Sequence, residues 1–206
     1  MDTRVNYKDR AIASLTGKWS NAAIVTLIVL LILEGVGQIL TLPMGNDLGL
    51  STGTSGIWSL LCLPLAWGAT VYFLRLIRNE DISYSRVFDG YQDFVRIFCT
   101  KFLVGLYEGL WALLLIVPGV VKAYSYAMTD FILKDEPELR NNAAIEKSMR
   151  MMDGHKMELF MIDLSLIGWF ILSLLTLGLG FLLLIPYYQT IHAHFYEDLK
   201  AEKAEA

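Results

Sequence analysis

Long apolar runs alternate with short polar stretches along this chain. A helix needs about 20 mostly apolar residues to cross the hydrocarbon core of a bilayer. Six runs meet or approach that length: residues 20–42, 57–77, 94–117, 119–133, 159–177 and 180–195. The fourth is short. The pattern predicts an all-α membrane protein, a bundle of about six transmembrane helices in a single integral-membrane domain over residues 1–206.

The polar stretches carry a pattern of their own. In "LRNNAAIEKSMRMM", Ile145, Met149 and Met152 recur at i, i+4 and i+7, while Glu146, Lys147 and Arg150 fall elsewhere. That spacing predicts an amphipathic helix over residues 139–152. It either lies flat at the inner headgroup layer or packs on the inner end of the bundle. "ISYSRVFDGYQDFVRIF" is a second candidate for an inner-surface helix. Each even-numbered run also brings an apolar stretch to a proline: "LLCLP" at Pro64, "LLIVP" at Pro118 and "LLLIP" at Pro186. Six and eight residues later stand Thr70 and Tyr72, Tyr124 and Tyr126, His192 and His194. Three related helical hairpins would produce this arrangement, and so would chance in a leucine-rich bundle. Inside a span, a proline kinks the helix.

Basic residues orient the runs, because cytoplasmic loops collect Lys and Arg. Arg4, Lys8, Arg10 and Lys18 precede the first run. Arg75, Arg78, Arg86, Arg96 and Lys101 lie between the second and third or at their edges. Lys134, Arg140, Lys147, Arg150 and Lys156 separate the fourth from the fifth, and Lys200 and Lys203 close the chain. Of the 17 basic residues only Lys122 is left over. "LPMGNDLGLSTGTSG", the Pro118-Gly119 turn and "LGLG" hold none. Six crossings with both termini cytoplasmic are therefore expected. The start of the chain has the basic residues of a signal peptide. Its apolar run continues through "EGVGQILTLP" without a small-residue cleavage site, so it reads as an uncleaved first span.

Composition agrees. Hydrophobic residues make up 55% of the chain and charged residues 18%, more apolar surface than a soluble domain of this size needs. The lipid bilayer is the partner implied. With a net charge of −4 and no basic cluster, nucleic acid is not expected as a partner. Cys62 and Cys99 sit in or beside apolar runs without a CxxC pair, which argues against a disulfide or a metal site. There is no HExxH, no phosphate-binding glycine loop and no GxSxG elbow, so no cofactor is implied. His192 and His194 stand about 200° apart on a helix and cannot chelate one metal from one face.

Four stretches carry a resemblance: "RNEDISYSRVFDGYQDFVRIF", "LWALLLIVPGVVKAYSYAMTDFILKDEPEL", "AIEKSMRMMDGHKMELF" and "LSLIGWFILSLLTLGLGFLLLIPYYQTIHAHFYEDL". With the opening "LTGKWSNA", they make the chain similar to the bacterial integral-membrane family catalogued as domain of unknown function nine hundred and seventy-five. The resemblance covers nearly the whole chain in the same order. Its most specific parts are Pro-Gly-x-x-Lys-Ala from Pro118 and Gly-His-Lys-x-Glu-Leu from Gly154. It implies a bacterial plasma-membrane protein of several helices. It implies no reaction and carries over no catalytic residues.

An ionisable residue near the centre of a span costs about 2.5–3.5 kcal/mol on insertion scales. Glu34, Glu108, Lys122, Asp130, Asp163, His192 and His194 fall within the runs. Asp130 and Asp163 lie near the inner ends, where they are interfacial or paired with inner-loop Lys and Arg. Glu34 lies about 12 Å before the outer end of the first run, and Glu108 about 13 Å before the Pro-Gly turn, at 1.5 Å per residue. Lys122 comes just after that turn. Glu34, Glu108 and Lys122 form the candidate polar centre. Lys122 either snorkels outward, with Tyr124 and Tyr126 supporting the interface, or turns inward and neutralises Glu34 or Glu108.

Three functions stay open. The first is a non-enzymatic multi-pass plasma-membrane protein with a structural, assembly or envelope-related role. The second is a small transporter or channel around Glu34, Glu108 and Lys122. The third is a lipid-acting membrane enzyme with His192 or Asp130 as acid or base. A wet cavity lined by both glutamates favours the second, and a dry, tightly packed bundle the first. A lipid-facing pocket where His192 meets a carboxylate favours the third.

Overall fold

A computed structural model of the protein describes residues 4–44 and 48–205. Among them every regular element is helical. The chain begins with α1 (Arg4–Leu15). Next, α2 (Trp19–Leu30), a π-helical turn (Leu31–Val36), α3 (Gly37–Thr41) and a 3-10 turn (Leu42–Met44) run on without a gap. The bent pair α4 (Leu48–Leu61) and α5 (Leu63–Ile77) is succeeded by a 3-10 segment (Tyr84–Tyr91) and α6 (Phe94–Leu114). A single extended residue, Leu115, turns α6 into α7 (Ile116–Tyr126). The rest is α8 (Thr129–Asp135), α9 (Asn142–Met151), α10 (Lys156–Leu164), α11 (Ile167–Leu175) and α12 (Phe181–Glu205).

Among the described residues three helices are long and apolar enough to cross a membrane: Trp19–Thr41, Phe94–Leu114 and Lys156–Leu175. The pair meeting at Cys62, bent by 42°, makes a fourth if it is counted as one span. Pro64 accounts for the bend. In the first turn of α5 its missing N–H costs nothing, whereas an unbroken helix would lose a hydrogen bond and meet the proline ring. The remaining two expected spans do not reach the same standard. α7 has 11 residues and separates from α8 at Ala127 and Met128. The apolar part of α12 ends near Phe195, about 22 Å from its start at 1.5 Å per residue.

The core lies at one end of the bundle. Tyr7, Leu74, Phe131, Leu159, Ile191 and Phe195 are buried in one cluster drawn from α1, α5, α8, α10 and α12. This end also carries the paired Arg and Lys side chains and is the basic end below. At the opposite, apolar end, Leu113, Ile116 and Leu177 are 87%, 79% and 96% exposed. Water would penalise that surface and hydrocarbon would not.

Of the two expected surface helices, the first turns inward, and the second lies against α5 through Val87 and Gly90 with Tyr84, Phe88 and Tyr91 exposed. The first is shorter than the stripe suggested, and α9 buries Ala144, Ile145, Ser148 and Met151. It packs against α6, α7 and α8, so the packed placement is the one found. Its Ser148 stitches the break between α7 and α8. The hydroxyl donates to the Ser125 carbonyl (2.9 Å) and accepts from the Met128 N–H (3.2 Å). The second candidate is the 3-10 segment Tyr84–Tyr91, strapped along α5. A Cβ at Gly68 would stand 1.9 Å from the Val87 oxygen, and one at Gly90 would stand 2.3 Å from the Pro64 oxygen. Only glycine allows so close a backbone approach. Arg75 ties the strap down through Asp89 at 2.7 Å.

Candidate functional site

A cleft of about 260 Å³ opens between the π-helical turn and α4. Glu34, Gln38, Thr41, Ser55, Trp58 and Ser59 are among its lining residues. The π turn holds one residue more than an α-helical turn, which displaces backbone carbonyls from their usual partners. The Trp58 indole N–H fills that gap by donating to the carbonyls of Ile32 (3.1 Å) and Leu33 (3.2 Å). Gly37 makes room for the ring, since a Cβ there would lie 3.1 Å from Trp58 Cδ1. Three of the lining hydroxyls donate back to their own helices: Thr41 to Gln38, Ser55 to Ser51 and Thr52, and Ser59 to Ser55. The Glu34 carboxylate has no hydrogen-bond or ion-pair partner among the described residues.

The other two residues of the expected polar centre lie apart from this cleft. Glu108 and Lys122 belong to the α6–α7 hairpin, and neither lines the cavity at Glu34. Among the described residues no ion pair joins Lys122 to either glutamate. Its ammonium instead stands over the Trp111 ring, 5.2 Å from the centroid. A desolvated cation gains from the negative face of the ring.

The basic end holds a half-buried cluster that sequence reasoning did not assemble. Asp163 of α10 accepts hydrogen bonds from the hydroxyls of Tyr124 (3.0 Å) and Tyr188 (3.4 Å). His192 Nε2 lies 2.9 Å from the other carboxylate oxygen, and Tyr188 packs on the imidazole at 4.1 Å. Asp163 was expected to be interfacial or to pair with an inner-loop Lys or Arg. It meets His192 and two tyrosines instead, because those are the side chains α12 and α7 turn toward it. Asp130 does find a lysine, Lys101, at 2.8 Å. His194 faces away from His192, as the spacing requires, and its Nε2 meets the Ser14 hydroxyl at 2.9 Å. Among the described residues no three His, Cys, Asp or Glu side chains gather as metal ligands.

A third group joins α5, α8 and α12. Arg78 donates two hydrogen bonds to Asp135 (2.6 and 2.8 Å) and one to Glu197 (2.7 Å). Tyr196 donates to Asp135 at 3.0 Å, and Lys200 pairs with the same carboxylate. Burial opposes the Asp135 charge, but the hydrogen bonds from Arg78 and Lys200 prevail, helped by the Arg78 charge. They hold its carboxyl well below the usual carboxylate range. Asp135 in turn pushes the Arg78 guanidinium upward against the cost of burial. No sequence signal announced this group, since its members lie 57 and 119 residues apart.

A family model described as "Protein of unknown function (DUF975)" matches residues 1–128 and 113–203. The chain belongs to the DUF975 family. Neither the curated proteins nor the solved structures yielded a match. The two most specific parts of the resemblance both make contacts in this DUF975 protein. Lys122 of Pro-Gly-x-x-Lys-Ala covers Trp111. His155 of Gly-His-Lys-x-Glu-Leu lies 3.4 Å from Glu202 and 3.8 Å from Glu158. The DUF975 protein thus has two kinds of polar site. At the basic end, acids, bases and hydroxyls engage one another. At Glu34, an acid faces an open cleft.

Proposed function

We propose that this DUF975 protein is a multi-pass protein of the bacterial plasma membrane with a non-enzymatic structural or assembly role in the envelope. It crosses six times, with both termini and the basic end in the cytoplasm. Residues 119–133 serve as the fourth crossing, in two helical pieces that belong to α7 and α8 and part at Ala127 and Met128. The observation that carries the role is the mutual engagement of acids and bases. Asp130, Asp135, Asp163 and Asp198 each hold a cation, an imidazole or a hydroxyl. An enzyme acting on lipid needs such groups beside a pocket. His192 does meet a carboxylate, but neither it nor Asp163 lines the Glu34 cleft or the apolar groove between Trp19 and Trp169.

A deletion strain, complemented with the wild-type gene, tests the role. Loss is expected to sensitise cells to detergent and osmotic stress while leaving the lipid profile and solute uptake unchanged. A missing or accumulated lipid species overturns the reading in favour of an enzyme. The cleft at Glu34 favours a second reading, a small transporter or channel, and a specific loss of solute uptake would select it.

A further inference from the structure

We infer that the Glu34 cleft binds a small ammonium cation. This goes beyond the structural role and does not depend on it. Charge is the first reason. Glu34 lies in the apolar part of the first span without a cationic or hydrogen-bonding partner among the described residues. A lone carboxylate at that position is costly, and a bound cation neutralises it. Lys122 is not available for this, since it is held on Trp111 in another hairpin.

Hydrogen-bond direction is the second reason. The hydroxyl hydrogens of Thr41, Ser55 and Ser59 are spent on their own helices, and the Trp58 N–H is spent on Ile32 and Leu33. What these hydroxyls and Glu34 still offer is oxygen lone pairs. The Gln38 amide and the Thr52 hydroxyl in the same lining can also donate, so acceptors predominate without being alone, and the negative charge of Glu34 decides which ligand is matched best. An ammonium group brings positive charge and N–H donors together, and charge-assisted hydrogen bonds are the stronger kind.

Size and ligand count narrow the class. At about 260 Å³ the cleft falls below the roughly 300–1,000 Å³ of drug-sized pockets. A calcium site takes six to eight oxygens, usually from several carboxylates, and Glu34 is the one carboxylate among the described residues of this lining. A small primary ammonium fits both limits.

The test is calorimetric titration of the purified full-length protein in nanodiscs with ethylammonium, tetramethylammonium and sodium chlorides at matched ionic strength. Ethylammonium is expected to bind saturably. Glu34→Gln is expected to weaken it by about 10- to 100-fold, the effect of losing a charged hydrogen-bond acceptor. Thermal unfolding of Glu34→Gln should match wild type, because Glu34 supports no other side chain. Tetramethylammonium has the charge but no N–H and is expected to bind at least about 10-fold more weakly. A second measurement needs no variant: ethylammonium should protect Glu34, but not Glu108, from modification by a hydrophobic carbodiimide, read by mass spectrometry. The inference is overturned by absent ethylammonium binding, by equal binding of tetramethylammonium or by equal binding to Glu34→Gln. Tighter binding of sodium overturns it in favour of an alkali-ion site, and unprotected Glu34 overturns the location.

Discussion

At the basic end, Phe131, Phe195 and Leu199 have almost no exposed surface, and the charged groups among them have partners within the chain. At the apolar end, Leu113, Ile116 and Leu177 face outward, and the hydroxyls of Ser55 and Ser59 bond to their own helices. The basic end is organised like a water-soluble core, with apolar side chains inside and ion pairs around them. The apolar end is satisfied by its solvent, because hydrocarbon supplies there what protein supplies at the other end. The protein's internal energetics are therefore concentrated at one end. Equal numbers of substitutions at the two ends should not have equal effects.

The largest effect is expected at the ion-pair network. Arg78→Met leaves Asp135 buried with Lys200 as its remaining cation, and breaking a buried pair costs about 3–5 kcal/mol in general. Unfolding in a mild detergent should show a loss near the lower figure, since Lys200 stays. A loss under about 1 kcal/mol would mean the network is solvated and the contrast between the ends is weak. The same network predicts a pH dependence. The folded Asp135 carboxyl lies below its ordinary value of 3.8. Its stabilisation is complete above that value and declines as pH falls toward the folded pKa. Asp135→Asn should flatten the stability profile below about pH 4.

The next effect belongs to Ser148. Ser148→Ala removes two hydrogen bonds and leaves the buried Met128 N–H without its acceptor, a loss of about 1–3 kcal/mol. Amide exchange at Met128 should quicken as well. Unchanged exchange would show that α9 is not what secures the α7–α8 break.

Lys122→Met is expected to be milder, at about 0.5–2 kcal/mol for a lost cation–π contact. Neither Glu34→Gln nor Glu108→Gln should restore the loss. Rescue by either one would reveal an ion pair and a polar centre shared across the apolar end.

The smallest effect is expected at the exposed surface. Leu113→Ala should change stability by less than about 0.5 kcal/mol, as surface substitutions usually do. Leu74→Ala, in the basic-end core, should cost about 2–5 kcal/mol. Similar losses at the two positions would remove the contrast altogether.

The runs that became long apolar helices were legible because length and apolarity are written along the chain. The runs at 119–133 and 180–195 gave no sign of the break at Ala127 and Met128 or of how soon α12 turns polar. The stripe on α9 pointed to Ile145, which is buried, but not to Ser148 beside it. Apolar periodicity says nothing about a polar side chain that bonds a neighbouring helix. The Asp163 cluster left a partial trace. Tyr124 and His192 each stand six residues after a proline, and both reach Asp163. The repeat suggested that such positions correspond, but it could not supply the carboxylate that α10 brings between them. Arg78 was counted as a loop charge, although its partners come from two distant helices. A single sequence does not encode that pairing in any local pattern. Of the candidate polar centre, the residue types were visible and their separation was not, because Lys122 had an aromatic alternative in Trp111.

The π-helical turn has a consequence for chain length. It carries one residue more than the α-helical turn it replaces, and the turn absorbs that surplus, so α3 keeps nearly the phase an unbroken α-helix would give it. Removing one residue from Leu31–Val36 would let the rod continue as an ordinary α-helix with Gly37–Thr41 still turned toward α4. The carbonyls of Ile32 and Leu33 would then find partners within the helix, and Trp58 would lose the two acceptors it now holds. A substitution in this turn changes one side chain, whereas a one-residue deletion removes the acceptors that fasten α4 to the first helix.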